Sequence, residues 1–502
     1  MRDRAMTRRE AVRVGAGGLA GLAAARALGA IGLGAEGEGA RRAGVGTGGA
    51  TADACIFIYL PGGVAQTDTW DPKVFTPYRA GMRGSELLGT CESIPTAAEG
   101  VRLGAGLERM ASVMDRGCVL RSLSSEVKFG AVHLRAQHYL MTGYVHPAGF
   151  KAPSMGAIVG RVLGRRDPRV PEYIYVGRDI DTSDNERLFI AEYIGSGFLG
   201  VESAPFMIPD PGAGLATLNP APGMTMDRLD RRQALWRRVQ ELSDPRLMES
   251  PKAEHYRQML ESAREMMDSP VKRAFDLGEE KPETLAAYEP GIGADGVMDR
   301  GYYHGNRFGR GLLLARRLVE AGARFVQVEY QYGPFKGFDM HEQGAARMVE
   351  MKRQIDGPIA RLILDLEERG LLERTLVVIG TEFGRTIASA PAAGTEPEGF
   401  GERHTGEELV IENENMYGFH GHFSSCSAML FFGGGFRRGV AYGKTADRHP
   451  MLAIENPVSL IDAHATIYHA LGIPADTSHV TEGRPVYVTK DGKGRVAEGL
   501  LA

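Results

Sequence analysis

Cysteine is scarce in this chain, with four among 502 residues. Cys55, Cys91, Cys118 and Cys426 lie far apart with no C-x-x-C pair, which argues against thiol-based metal binding. If the protein is exported, one or two disulfides are compatible with these positions, and the sequence does not pair them. Past the first few dozen residues, no stretch approaches the roughly 18 uninterrupted apolar residues needed to span a membrane. An excess of basic charge is also lacking. A net charge of −4 and a pI near 6.4 argue against a nucleic-acid partner. Histidines are few, at 13, so their clustering carries information. What is present, 43% hydrophobic and 24% charged residues, is the composition of a soluble globular protein.

Residues 14–28, VGAGGLAGLAAARAL, pose the first choice. Gly15, Gly17 and Ala20 satisfy G-x-G-x-x-A, and Glu36 follows at about the 20-residue interval of a dinucleotide-binding fold. Context opposes that reading, because the charged segment TRREAVRV cannot form the buried strand such a turn must follow. Glu36 itself sits in the glycine-rich GAEGEGARR. A targeting segment fits better: twin arginines at Arg8 and Arg9, an apolar Gly/Ala stretch, and small residues near Ala35. Ala11 and Arg26 depart from the usual pattern, and a plain disordered tail is the remaining alternative. The expected division is a twin-arginine signal and flexible leader over 1–50, a main domain over 51–480 and a C-terminal tail over 481–502. Export through the twin-arginine machinery places the protein in the periplasm or outside the cell. Removal of the leader leaves about 450 residues, enough for one large or two ordinary domains.

The main domain opens with the apolar run Cys55–Leu60, broken by Pro61-Gly62-Gly63. Cys118–Leu120 and Tyr173–Val176 read as short strands, and Ala131–Met141 as a helix ending at Thr142-Gly143. Charged amphipathic helices follow over about 227–278, part of an expected helical excursion over 227–298. An α/β rhythm then begins, with helix at Phe308–Ala321, strand at Arg324–Tyr330 and helix at Met348–Arg369. Strands at Thr375–Gly380 and Ala428–Phe432 and a helix at Asp462–Leu471 complete it. This alternation predicts a largely parallel sheet with helices on both faces. Residues 52–225 and 300–475 are expected to share that sheet. Limited proteolysis should therefore cut the 280–300 stretch or the acidic 396–414 stretch first. Two independently stable halves would contradict a shared sheet.

In parallel sheets, functional groups gather beyond the carboxyl ends of strands. Four such places carry carboxylates and imidazoles. PGGVAQTDTWDPK brings Asp68 and Asp71, and QYGPFKGFDMHEQ brings Asp339 and His341. GTEFGRT brings Glu382 and Arg385, and GFHGHFSS, just before a strand, brings His420 and His422. This set suits zinc, manganese or iron rather than a calcium cage. One D-x-H or H-x-H is weak, since such residues are commonly solvated; the joint pattern on one sheet edge is the stronger signal. GVGTGG at 44–49 reads as linker, and Gly433-Gly434-Gly435, lacking Lys-Ser/Thr, as a turn rather than a phosphate loop. His469 reads as a packed or surface residue. The glutamate-rich 391–418 region reads as a mobile surface insertion, with an active-site lid as the alternative.

TDTWDPK, the spacing from His133 and Ala136 to Thr142-Gly143, FGRGLLLARRLVEAGARFVQV, FDMH, LEERGLLERTLVVIGTEFGRT and ATIYHALGIP together resemble the domain of unknown function 1501 family. These are exported bacterial proteins grouped with the alkaline phosphatase–sulfatase superfamily, and the resemblance spans roughly 52–475. It implies an α/β fold: a large, mostly parallel sheet between helices, alkaline phosphatase-like, with a helical excursion. It implies a divalent metal, zinc foremost with manganese, calcium or iron as alternatives, and a small-molecule or polysaccharide ester as substrate. Carried over, the metal-ligand positions are Asp339, His341, Glu382 and His422, with Asp68 and His420 as further ligands. His133 and Arg385 are the catalytic candidates, the arginine as a fork for ester oxygens, with a plain salt bridge to Glu382 or a helix-capping role as the alternatives.

Two departures from the family pattern stand out. The usual Asp-His before the last strand is Gly421-His422 here, and His133 occupies the place of a Ser/Thr nucleophile. Imidazole there can be a nucleophile, an acid/base or another ligand, and direct water attack is also open. The chain thus reads as an exported metal-dependent hydrolase of phosphate or sulfate esters. The alternative is a non-catalytic, sulfatase-like envelope protein that binds a polysaccharide or protein partner. The superfamily typically holds two divalent metals, so Asp339, His341 and His422 are expected to share one, with Glu382 and Asp68 or His420 completing a second position. The site fails if the His341 and His422 imidazoles lie more than about 8 Å apart.

Overall fold

A computed structural model describes residues 49–125, 132–146, 148–177, 190, 192–220, 223–241, 264–291, 296–298, 301–387 and 409–502. The expected signal and leader up to residue 48, most of the acidic region and part of the helical excursion lie outside them. At the centre is a nine-stranded sheet. We number its strands with the flanking hairpin in chain order: β1 Ala54–Tyr59, β2 Gly117–Ser124, β3 Tyr173–Val176, β4 Phe206–Ile208, β5 Phe325–Glu329 and β6 Thr375–Gly380. β7 Gly384–Ile387, β8 His420–Phe423, β9 Cys426–Phe432, β10 Val440–Tyr442 and β11 Val458–Ser459 follow.

The order across the sheet is β10-β2-β9-β6-β1-β5-β3-β4, with β11 also beside β2. β9 runs antiparallel to both neighbours, and the remaining pairings are parallel. The sheet is thus large, mixed and mostly parallel, as the strand–helix alternation predicts. Strands before and after the 227–298 region interleave in it, since β5 lies between β1 and β3.

The apolar runs are continuous because both faces are covered. Alternate residues serve alternate faces: Ala54, Ile56 and Ile58 join one buried cluster, and Cys55, Phe57 and Tyr59 the other. Helices Gly305–Glu320 (α4) and Gly344–Glu368 (α5) cover the first face with Leu312, Leu313, Ile355, Ile359 and Leu362. Helices His133–Thr142 (α1), Met155–Leu163 (α2) and Leu460–Ala470 (α6) cover the second with Leu140, Ile158 and Ile467. Between α2 and α4 in the chain, Met226–Glu241 forms helix α3 of the expected excursion.

Local signals set the helix ends. The hydroxyls of Ser154 and Ser459 cap α2 and α6 by accepting the Ala157 and Asp462 amides. Gly143, at φ 75°, ends α1 in the left-handed conformation expected of a glycine after the last turn. At the far end of the chain, Val488 and Leu500 are buried in the second cluster. All four cysteines are free thiols, and Cys55, Cys118 and Cys426 are buried. No helix among the described residues is long and apolar enough to cross a membrane.

Two segments with no strand assignment from sequence form a hairpin. GRTI and HGHF pair as the antiparallel β7–β8 hairpin, with Arg385 opposite His422 and Ile387 opposite His420. Their glycines mask the alternation that would mark a strand.

Candidate metal centre

The sheet order explains why residues distant in sequence meet. β5, β1 and β6 are adjacent and parallel, so the segments after them, carrying Asp339 and His341, Gly62 and Gly63, and Glu382 and Arg385, leave one edge together. β2 ends at the same edge and precedes α1, which begins with His133. The antiparallel β9 starts there, so the preceding β8 places His422 in the same space.

Close approach is secured by glycine. A Cβ on Gly62 (φ 113°) would lie 2.5 Å from the Asp339 amide nitrogen. One on Gly63 (φ 80°) would meet the Phe383 ring at 2.6 Å and Arg385 Nε at 2.8 Å. No larger residue fits either position without moving the site.

Asp339 is the hub. Its Oδ2 accepts the Phe335 amide at 2.8 Å, which aims Oδ1 at three imidazoles. His341 Nε2 lies 2.9 Å from Oδ1, His133 Nε2 3.0 Å and His422 Nε2 3.5 Å. One ligand atom from each of His133, Asp339, His341 and His422 lies within 4.8 Å of the others. The His341 and His422 ring centroids are 4.8 Å apart, well inside the limit set from sequence. Phe383 walls the cluster, with its ring centroid 4.6 Å from His422 and 4.9 Å from His133.

The protonation chemistry of this set is compatible with a bound cation. Both nitrogens of His133 face carboxylates, since Nδ1 lies 2.7 Å from Glu382 Oε1. A neutral imidazole donates only one proton, so the second contact needs either an imidazolium or a cation. Burial opposes charge on His133, but Asp339 and Glu382 outweigh it and raise its pKa above the ordinary value. Burial also disfavours the Asp339 anion, and the hydrogen bonds from His133, His341 and His422 hold its carboxyl far below the usual range. His422 is pushed down to about 3, first by burial and then by the Arg385 guanidinium. It is therefore neutral near pH 7, the form that ligates metal.

Glu382 stands behind this group rather than in it. Besides His133, its carboxylate accepts the Gly62 amide at 2.8 Å and the Tyr59 hydroxyl at 3.1 Å. A carboxylate that fixes the far nitrogen of a ligating imidazole sets its tautomer and orientation. Glu382→Gln should therefore weaken divalent-ion affinity by about 10–100-fold, measured by titration of the ion into stripped protein. An unchanged affinity would show that Glu382 does not orient His133.

Asp68 and His420, expected as further ligands, form a separate buried pair. Asp68 Oδ2 meets His420 Nε2 at 3.1 Å, and its Oδ1 accepts the Thr90 hydroxyl at 2.7 Å. Burial keeps the His420 imidazole below its ordinary pKa. It is therefore neutral, and Nε2–H donates to the carboxylate. Asp71, the other aspartate of that loop, bonds Lys73 and Thr445.

Arg385 is not free to hold an ester. It is fully buried, and its Nε donates to the carbonyls of Gly62 and Gly63 at 3.2 and 3.1 Å. Nη1 donates to the carbonyls of Met340 and His420, both at 3.0 Å, and Nη2 to Asp339 Oδ1 at 2.7 Å. The fork ties three loops together and positions Asp339. The described residues thus bring His133, Asp339, His341 and His422 into one group. Glu382 and Arg385 orient it, and Asp68 and His420 lie outside it. Phe335 and Phe383, absent from the sequence-based set, also shape the site; only their position beside FDMH and within GTEFGRT could have marked them.

The family model described as "Protein of unknown function (DUF1501)" matches residues 52–501. The chain belongs to this family. No curated protein matches this DUF1501 chain in sequence. Among solved structures it is similar to the lipoteichoic acid synthase LtaP from Listeria monocytogenes, at 9% identity and a TM-score of 0.36, over 94% of this chain and 81% of that one. The PsFucS1 sulfatase from Pseudoalteromonas sp. is similar at 12% identity and a TM-score of 0.37, over 88% and 73% of the respective chains. An alkaline phosphatase from the Antarctic bacterium TAB5 shows 10% identity and a TM-score of 0.31, over 78% and 95%. Likenesses this distant speak to neither substrate nor residue role.

Proposed function

We propose that this DUF1501 protein is an exported, metal-dependent hydrolase of phosphate or sulfate esters. The observation that carries the proposal is the convergence of three imidazole Nε2 atoms on one oxygen of Asp339. Three imidazoles and a carboxylate are ligands of the zinc type. Zinc is the first choice, with manganese and iron as alternatives; three imidazole nitrogens do not suit the calcium left open by the sequence. The ester class rests on the chain's resemblance to the alkaline phosphatase–sulfatase superfamily.

Asp339, His133, His341 and His422 would hold the ion, which supplies Lewis-acid stabilisation of charge developing on the ester oxygens. Glu382 would keep His133 in register, and Arg385 would fix Asp339 from behind. His133 is an unsuitable nucleophile, because both ring nitrogens are committed to carboxylates. Water is the attacking group that remains consistent with the site. Phe383 and the buried flank of the cluster would limit water to the open side at His341, whose side chain is 28% exposed. The non-catalytic alternative retains one specific support, the absence of a Ser, Thr or Cys at the start of α1, where His133 stands.

The test is to load the purified protein with zinc or manganese and assay aryl phosphates and aryl sulfates. Metal-dependent release of the aryl alcohol supports the enzyme. Full metal occupancy without turnover of either class favours the binding protein. Export is tested separately. Replacing Arg8 and Arg9 together with lysine should leave precursor in the cytoplasm, and unchanged export would refute the twin-arginine route.

A further inference from the structure

With Arg385 consumed inside the protein, the site needs another group to receive the anionic part of an ester. Arg347 lies in the first turn of α5, which begins just after the Asp339–His341 loop. It is half-buried. Among the described residues its guanidinium makes one hydrogen bond, from Nη2 to the Phe335 carbonyl at 3.0 Å, and no ion pair. A planar guanidinium carries five donors, so most of its fork is unspent. It sits close enough to the centre for Asp339 and Arg385 to act electrostatically on it. Glu350 and Glu342 also attract it electrostatically, but no carboxylate among the described residues hydrogen-bonds it, so its remaining N–H donors are open to an anion.

The residue that anchors it is unusual too. Phe335 is 70% exposed and adopts a left-handed backbone at φ 61°, a conformation disfavoured for a side chain of this size. The strain is not offset by burial of the ring. Instead its amide holds Asp339 Oδ2 at 2.8 Å, its carbonyl holds Arg347, and its ring stands 5.3 Å from the His341 ring at the open side. One strained residue thus links the metal group, the spare guanidinium and an exposed aromatic face. Strain retained in this way is characteristic of functional positions.

We propose that Arg347 binds the phosphate or sulfate oxygens of the substrate and that Phe335 packs against a ring in its alcohol portion. The inference rests on the hydrolase reading above and deepens it: the substrate class is a ring-bearing anionic ester, aryl or sugar. Guanidinium offers paired N–H donors matched to tetrahedral oxyanions, and an aromatic face suits an apolar ring.

The probes are inorganic phosphate, inorganic sulfate and phenyl phosphate, titrated into full-length, metal-loaded protein. Arg347→Ala should weaken the inorganic anion that binds by about 10–100-fold, with ions per chain unchanged. Arg347→Lys should recover only part, because an ammonium lacks the fork. Phe335→Ala should weaken phenyl phosphate more than inorganic phosphate. If Arg347→Ala does not fold, Arg347→Lys and Arg347→Gln carry the same comparison. Wild-type affinity in these variants, at full metal content, overturns the role of Arg347 and leaves the hydrolase reading intact. Metal-loaded wild type that binds none of the three probes overturns the inference. A wild-type protein that takes up no divalent ion overturns the hydrolase reading and this inference with it.

Discussion

Arg385→Met should cost the protein about 3–5 kcal/mol, the loss expected when one partner of a buried ion pair is removed. The guanidinium is fully buried and holds the carbonyls of Gly62, Gly63, Met340 and His420 as well as the Asp339 carboxylate. Methionine fills much of the volume but satisfies none of these acceptors, and it leaves Asp339 buried without its cation. Against a typical total stability of about 5–15 kcal/mol, the urea midpoint should fall sharply, or the variant should accumulate as insoluble chain. Arg385→Lys should fall between the two, since three donors on one nitrogen cannot span three loops. A midpoint within about 0.5 kcal/mol of wild type, the range of an ordinary surface change, would show that the fork is not what ties the loops together.

Asp339→Asn should have the largest effect on function. The substitution keeps the shape and the capacity to accept the Phe335 amide, but removes the negative charge on which His133, His341, His422 and Arg385 converge. Neutral oxygen is a poor ligand for a divalent ion among imidazoles, so affinity should fall by more than the 10–100-fold typical of residues that merely orient a ligand. Any metal-dependent hydrolysis should fall with it. Stability should fall as well, because Arg385 loses the carboxylate of its buried ion pair and His133 loses one of the two carboxylates that favour its charged form. Titration of the ion, with circular dichroism to confirm folding, reads both. Retention of wild-type affinity would place the ion elsewhere.

The fold was legible where burial on two faces forces long apolar runs. Thr375–Gly380 and Tyr173–Val176 match the structure to the residue, and Cys55–Leu60 differs from β1 by one residue at each end. The gathering of Asp339, His341, His422 and Glu382 followed from the same logic, because a parallel sheet brings the segments after its strands to one edge. Finer assignments were not legible. His420 and His422 are two residues apart on one strand, yet one meets Asp68 and the other Asp339. Only the hairpin partner decides this, and Gly384 and Gly421 conceal that hairpin in the sequence. Arg385 and Arg347 pose the same difficulty. Charge and spacing made Arg385 the fork for an ester, while packing buries it and leaves the donors of Arg347 unspent. Arg347 falls one residue before the helix expected at Met348–Arg369, whereas the helix begins at Gly344, and no motif singled it out.

The proposed function stands on one divalent ion held among His133, Asp339, His341 and His422. The most direct measurement is elemental analysis of the purified full-length protein, followed by anomalous diffraction to locate the ion. About one ion per chain is expected, with Asp339 Oδ1 and the three Nε2 atoms at roughly 2.0–2.2 Å from it. Protein that holds no ion after incubation with zinc or manganese, or an ion seated at the Asp68–His420 pair instead, would contradict it.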